Sequence, residues 1–203
     1  MNHKAQTEHT IDKTGQAGAK TKGAAFIRLS VRDIALCSLF AALTAAGTFV
    51  RVPFGYAPFT LQVFVTSLAG LMLGAKRGAL SQLIYVALGL MGVPILASGG
   101  GPGYFLVPSC GFVLALPLSA AVIGLVYRPD TTTTVRRAIL ACVAGLAVLY
   151  AVGLSYMAFI LGAVQHTPIP LNRLLTAAML PYLPADAAKI AVCVWLTRRL
   201  PKL

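Results

Sequence analysis

Residues 138–163 read AILACVAGLAVLYAVGLSYMAFILGA, a run without a single charged side chain. A helix needs about 20 apolar residues to cross the hydrocarbon layer of a bilayer, so this run is long enough. Backbone groups inside lipid must find hydrogen bonds within the protein, which leaves helices or closed barrels as spanning structures. The chain shows no segments of roughly ten residues with the apolar and polar alternation of a membrane barrel. The run therefore predicts a transmembrane helix.

Working outward from this run, the rest of the chain repeats the pattern. Hydrophobic residues make up 58% of the sequence and charged residues 11%, and the mean hydropathy is +0.80. An average soluble domain is about a quarter charged, so a soluble enzyme and a disulfide-stapled secreted domain are excluded. The sequence predicts an all-α integral membrane protein, a bundle of six transmembrane helices with Gly/Pro-rich extracellular loops. The other five blocks are about 33–50, 58–75, 78–97, 105–127 and 174–200.

The second and third blocks, 58–75 and 78–97, are marginal in length for a span and rich in Gly and Pro. We expect one of them to be bent or broken. Residues 1–28 are polar with almost no large apolar side chains, which predicts a disordered basic N-terminal tail. They contain no apolar run that ends in a small-residue cleavage site, so they do not read as a secretory signal peptide. Residues 29–203 then form the six-helix transmembrane substrate-binding domain.

The charges predict the orientation. The chain has 17 Lys+Arg against 5 Asp+Glu, and most of the basic residues flank apolar blocks. This is the pattern of the positive-inside rule, so binding to nucleic acid is the poorer interpretation. With six crossings, fourteen basic residues lie on the side of the termini, and only Arg51 and Arg173 lie opposite. We expect a multi-pass protein of the plasma membrane, the cell inner membrane, with cytoplasmic N- and C-termini.

The last block holds the most informative polar residues, within Leu180–Lys189 (LPYLPADAAK). Asp186 and Lys189 are three residues apart, so on a helix they share a face. Ionisable groups at membrane depth are costly and usually pair with each other or face a polar pathway. Two interpretations remain open, a ligand site and a structural ion pair. The sequence has no hydrolase motif and no P-loop, so it gives no route to ATP of its own.

Other polar and aromatic residues lie near the predicted outer ends of the spans. Gln62 starts the second span, Tyr85 lies in the third, and Tyr104 follows a Gly-rich stretch. We expect these residues to line a pocket. The glycines at 99–101 and 103 would let the backbone approach a ligand closely.

The first span carries small residues four apart, Ala41 with Ala45 and Ala42 with Ala46. Such faces let helix backbones come close together in a bilayer. Spacing alone favours packing within this protein's own bundle over docking to another membrane subunit. The four cysteines lie within or beside apolar blocks without metal-ligand spacing, so we interpret them as packing residues.

Five of these segments, taken in order, resemble the BioY family, the biotin-specific S components of energy-coupling factor (ECF) transporters. The resemblance runs from about Arg32 to Leu200. One departure is Cys110-Gly111-Phe112, where the family often has two glycines before an aromatic residue. The segments are PFTLQ at 58–62, LGAKRGA at 73–79, YVALG at 85–89 with GVP at 92–94, the Gly-rich run into Tyr104, and PADAAK at 184–189.

The resemblance implies a high-affinity biotin-binding membrane subunit that is not an enzyme and needs no cofactor, since biotin is its transported substrate. It implies a transmembrane T subunit and two ABC-type ATPases as partners within the lipid bilayer. The first-helix alanine face would then meet the T subunit, through Ala41 and Ala45 or Ala42 and Ala46. The implied substrate-binding residues are Asp186, Lys189, Gln62, Tyr85, Ser98 and Tyr104.

Two other functions stay open at this point. A self-sufficient secondary carrier of biotin or another small carboxylic acid would fit the same residues, because a lone Asp–Lys pair also suits proton relay. An integral-membrane enzyme that acts on lipids, with Asp186 as its acid or base, ranks lower. Such an enzyme needs further polar groups at one depth, and the sequence offers few.

Overall fold

The polypeptide, described here by a computed structural model, is mainly helical. The structure describes residues 30–52, 58–128, 135–167 and 169–199, so the predicted tail at 1–28 lies outside the described residues. In chain order, the elements are α1 (Val31–Phe49), β1 (Arg51–Val52), β2 (Phe59–Thr60), α2 (Gln62–Leu90), a 3-10 helix (Pro102–Leu106), α3 (Cys110–Tyr127), α4 (Val135–Phe159), a π-helical turn (Ile160–Val164), α5 (Leu171–Ala178) and α6 (Leu183–Arg199).

Membrane-length helices confirm the predicted class. Within the described ranges, four helices are long and apolar enough to cross a membrane: α1, α2, α3, and α4 with its π-helical turn. A fifth crossing is added if α5 and α6, bent by 51° at a short break, are counted as one span. Helical structure is therefore found in each of the apolar blocks, with the second and third joined in α2.

The second and third blocks, of which one was expected to be bent or broken, are joined in α2, a run of 29 residues. Gly74 interrupts it with φ 76 and ψ −176, outside the helical region. The amide of Gln62 lies 2.6 Å from the hydroxyl of Tyr85, and a Cβ on Gly78 would lie 3.0 Å from the carbonyl oxygen of Ala69. In a straight helix, residues 23 apart would be about 35 Å apart. The chain therefore reverses at Gly74, and α2 is a hairpin of two antiparallel arms, 62–73 and 75–90.

Polar side chains join the two arms to α1. The hydroxyl of Thr66 donates to Oε1 of Gln82 at 2.9 Å, and Nε2 of Gln82 donates to Thr44 at 3.1 Å. All three side chains are buried. In lipid, the hydrophobic effect does not drive helices together, so hydrogen bonds between helices contribute to their association. The bonds among Thr44, Thr66 and Gln82 therefore hold the hairpin against α1.

The tip of the hairpin lies at the same end of the bundle as the start of α1. Ser30 and Asp33 form a capping box that begins α1, and Asp33 also pairs with Arg77 at 3.0 Å. Near the end of α3, a Cβ on Gly124 would collide with the backbone of Ala75 beside the tip. This end therefore gathers the N-terminus of α1, the tip and the C-terminus of α3.

Two block boundaries were wrong. The third block was expected to reach residue 97, but α2 ends at Leu90 and residues 91–101 form a loop. The sixth block is broken between α5 and α6 by residues 179–182. Pro181 lies in this break and has no backbone N–H for a helical hydrogen bond, which explains the interruption. The four cysteines are buried and unpaired, as their interpretation as packing residues requires.

Candidate functional site

A pocket opens at the end of the bundle opposite the hairpin tip. It holds about 620 Å³ of empty space, a volume that includes its open mouth. Its walls come from β2, the first arm of α2, α3, α4, α5 and α6. The lining residues are Pro58, Phe59, Thr60, Gln62, Val63, Ala97, Tyr104, Ser109, Phe112, Val113, Leu116, Leu149, Tyr150, Ala178, Tyr182, Asp186 and Lys189.

The break before α6 places the acid and the amine in this pocket. Because α6 starts only at Leu183, Asp186 lies in its first turn, where the positive end of the helix dipole favours a carboxylate. Lys189 follows one turn later on the same face. The helix thus presents both charges to the pocket.

Asp186 and Lys189 form a buried ion pair. Nζ of Lys189 donates to Oδ1 of Asp186 at 3.0 Å, and their side chains are 9% and 5% exposed. The hydroxyl of Tyr150, on α4, donates to Oδ2 of the same carboxylate at 2.7 Å. Each carboxylate oxygen therefore has one donor and can accept more.

Aromatic rings enclose the pair. Nζ of Lys189 lies 3.8 Å from the centroid of the Phe59 ring, a cation–π contact. Phe59 stacks on Tyr182, with centroids 6.4 Å apart, and Phe112 meets Tyr150 edge to face at 6.1 Å. This part of the pocket is electroneutral overall, because one carboxylate balances one ammonium, and it presents both donors and acceptors inside an aromatic wall.

Gln62 is held from two sides at another part of the wall. Its Oε1 accepts from Thr60 at 3.0 Å, and its Nε2 donates to the hydroxyl of Tyr85 at 2.6 Å. Tyr85 in turn donates to the carbonyl of Ile95 at 3.1 Å. An amide has two N–H donors, so one of them remains for a ligand. Tyr85 itself does not line the pocket, and we interpret it as the residue that positions Gln62.

Tyr104 lines the pocket, and its hydroxyl is a possible hydrogen-bond donor to a ligand. The side chain is 3% exposed, and its oxygen makes no hydrogen bond within the described part of the chain, although Ser109 lies beside it. Burial raises the pKa of Tyr104 to about 12, so the hydroxyl keeps its proton at physiological pH. A buried polar group without a partner is costly. This hydroxyl is therefore available to a bound molecule.

The loop before Tyr104 is arranged differently from two expectations. Ser98 is exposed and does not line the pocket, whereas its neighbour Ala97 does. The glycines were expected to bring the backbone close to a ligand. Instead, a Cβ on Gly100 would collide with the carbonyl of Val93, and Gly101 donates its N–H to the carbonyl of Gly89 at 2.8 Å. The glycines let this loop pack against the end of α2.

The alanines of α1 fall on different sides of the helix. Ala41 is 5% exposed and packs in the core, and Ala45 is half-buried. Ala42 and Ala46 are exposed on the outer surface. Of the two pairs proposed from the spacing, only Ala42 with Ala46 is therefore open to another subunit.

The sequence reasoning missed Tyr150 as a partner of Asp186 and Phe59 as a partner of Lys189. Phe59 was visible as part of the PFTLQ segment, but nothing assigned it a contact. One feature of the sequence pointed to Tyr150: it places a hydroxyl in the middle of the long apolar run. Tyrosine hydroxyls usually find a hydrogen-bond partner when buried, so this position called for one.

The chain is similar in sequence to proteins that are named biotin transporters. One relative, the "Probable biotin transporter BioY" of Lysinibacillus sphaericus, is 39% identical over 63% of this chain and 65% of that protein, so the chain spans slightly less than two thirds of it. The "Probable biotin transporter BioY" of Pyrococcus horikoshii is 35% identical over 85% of this chain and 98% of its own length.

Its fold is also similar to a solved structure. The crystal structure of the S-component for biotin from an ECF-type ABC transporter superposes with a TM-score of 0.72 and 26% identity. The match covers 85% of this chain and 92% of the other. A sequence model of the BioY family matches residues 19–203, which includes all of the site described above.

Proposed function

The chain belongs to the BioY family, and we propose that it is the biotin-binding membrane subunit, the S component, of an ECF-type vitamin uptake transporter. It is a transport protein and not an enzyme. The observation that carries the proposal for this chain is the electroneutral Asp186–Lys189 pair in an aromatic pocket.

The chemistry of this pair matches the ureido ring of biotin. A ureido group is uncharged, with two N–H donors and one carbonyl acceptor. Asp186 still has lone pairs for the N–H groups, and Lys189 has donors beyond the one given to Asp186. The Asp186–Lys189 pair has no net charge, so it suits the uncharged ureido ring of biotin better than the carboxylate of biotin. Placing the ligand carboxylate there would give this part of the pocket a net negative charge.

The remaining walls suit the rest of the molecule. Aromatic and aliphatic side chains, among them Phe112, Leu116 and Leu149, can bury the thiophane ring and the aliphatic chain. The free N–H of Gln62 and the unpartnered hydroxyl of Tyr104 are further hydrogen-bond donors at the wall. Because donors left unpaired by a wrong ligand would cost binding free energy, these groups favour a ligand that satisfies them.

We further propose six crossings with cytoplasmic termini. This count takes the two antiparallel arms of α2, each shorter than a typical span, as separate crossings and the bent pair α5–α6 as one. The tip, with Lys76 and Arg77, lies at the end of the bundle where α1 begins. Arg137 at the start of α4 bonds the carbonyl of Val126 at this same end, so basic residues concentrate there.

The partners follow from the same proposal. A transmembrane T subunit would dock on the Ala42 and Ala46 face, where small exposed residues allow close approach of a helix. Two ABC-type ATPases would supply the energy. Biotin is the transported substrate, and no cofactor is part of the proposal.

Equilibrium binding of labelled biotin to the detergent-purified full chain tests the proposed function. We expect an affinity tighter than micromolar, and weaker binding would contradict the proposal. Uptake into vesicles, with and without candidate T and ATPase subunits, separates an S component from a self-sufficient carrier. An S component requires the partners and ATP, whereas a carrier requires only an ion gradient.

A further inference from the structure

The bound form of biotin carries a carboxylate that the site described so far does not neutralise. This inference rests on the proposed function. Lys189 is already balanced by Asp186 and lies on the face of Phe59. Removing a carboxylate from water costs several kcal/mol unless a cation meets it. A second cation near the pocket would therefore decide how well the charged end of the ligand binds.

Among the described residues, Arg51 and Arg173 are the two arginines placed away from the basic end of the bundle. Both side chains are exposed, and neither is among the lining residues. Arg51 lies on β1, where it pairs across the ladder with Thr60. Thr60 is one of the lining residues, so Arg51 is adjacent to the pocket wall.

The guanidinium of Arg51 is also tied to a second part of the wall. Nη1 of Arg51 donates to the carbonyl oxygen of Ala97, which lines the pocket. Arg51 therefore bridges the β-ladder and the loop before Tyr104, two segments of chain at the pocket. A guanidinium has five N–H donors in a planar fork, so this bond leaves donors for a carboxylate.

Arg51 has no salt bridge to an acidic side chain within the described residues. The two acids there are Asp33, which pairs with Arg77, and Asp186, which pairs with Lys189. Within the described part of the chain, no acidic side chain balances Arg51, in contrast to Lys189. We infer that Arg51 binds the carboxylate of the ligand at the mouth of the pocket, and so selects biotin over uncharged analogues.

The test compares biotin with biotin amide, in which an uncharged carboxamide replaces the carboxylate. Arg51→Gln is the variant, because glutamine keeps an N–H donor for the Ala97 carbonyl and loses the charge. We expect Arg51→Gln to weaken biotin binding about 2- to 5-fold, the range for an ion pair with an exposed arginine, and to leave the binding of biotin amide unchanged. Arg173→Gln removes the same charge from another exposed arginine, on α5, and should change neither affinity.

Equal weakening of both ligands by Arg51→Gln would show that Arg51 only supports the loop, and would overturn the inference. Unchanged binding of both would overturn it too. The unmodified chain gives a test that needs no variant, because it should bind biotin about 2- to 5-fold more tightly than the amide. If it binds the two equally, the inference fails and the proposed function stands. If it binds neither, the proposed function itself fails.

Discussion

Removing the two charges of the pocket one at a time and together separates a ligand site from a structural ion pair. Asp186 is 4% exposed and Lys189 is 9% exposed. Asp186→Asn leaves a buried ammonium without a carboxylate, and Lys189→Met leaves a buried carboxylate with only Tyr150 as donor. Breaking a buried pair in this way costs about 3–5 kcal/mol, so we expect each single variant to lower the free energy of unfolding by that amount.

The double variant Asp186→Asn, Lys189→Met removes both charges and leaves neither unpaired. We expect its free energy of unfolding to be higher than that of either single variant, with a coupling of at least about 2 kcal/mol. Biotin binding should not recover, because the double variant lacks the charged acceptor and donor for the ureido ring. Each lost charged hydrogen bond is worth about 1.5–3 kcal/mol, or roughly 10- to 150-fold in affinity.

Chemical unfolding in detergent measures the first quantity, and titration with biotin measures the second. Asp33→Asn is the matched control, because Asp33 pairs with the 41% exposed Arg77 at the other end of the bundle. It should cost about 1–2 kcal/mol, because Asp33 is buried and also accepts the capping-box hydrogen bond of α1, and it should leave biotin binding unchanged. Near-normal biotin binding by the double variant would refute the assignment of this pair to the ligand. Single variants as stable as the parent chain would show that water reaches the pair.

Three further predictions concern other contacts. Tyr150→Phe removes the donor to Asp186 and should weaken biotin binding by about 0.5–1.5 kcal/mol, roughly 2- to 10-fold, in the same titration. Ala46→Leu on the outer face of α1 should leave biotin binding intact and reduce co-purification with the T subunit, whereas Ala191→Leu, equally exposed on α6, should affect neither. Gly124→Ala should lower the unfolding free energy by about 1–3 kcal/mol or more because its Cβ would collide with the turn of α2, while Gly162→Ala, with open space around it, should have little effect.

Much of the site could be predicted where the physical cause is local. Asp186 and Lys189 are three residues apart, so any helix through them places both on one face, and both do line the pocket. Gln62 and Tyr104 also reach it. Tyr85 and Ser98 lie near lining residues along the chain or in space, but proximity does not determine which way a side chain points. Tyr85 therefore lies behind Gln62, and Ser98 faces outward.

The sequence by itself determined that the protein lies in a lipid bilayer and that it is helical. An apolar chain with few charges must place its helices in lipid, because it lacks the polar surface to cover a core, and the basic clusters already mark one end of the bundle. Only the tertiary structure located the reversal between the second and third blocks at Gly74, two residues before Lys76. It also decided that Tyr150 meets Asp186 from 36 residues away, and that Ala42 and Ala46 face outward while Ala41 is buried. These outcomes depend on which helices pack together, and packing between distant segments leaves no periodic signal along the chain.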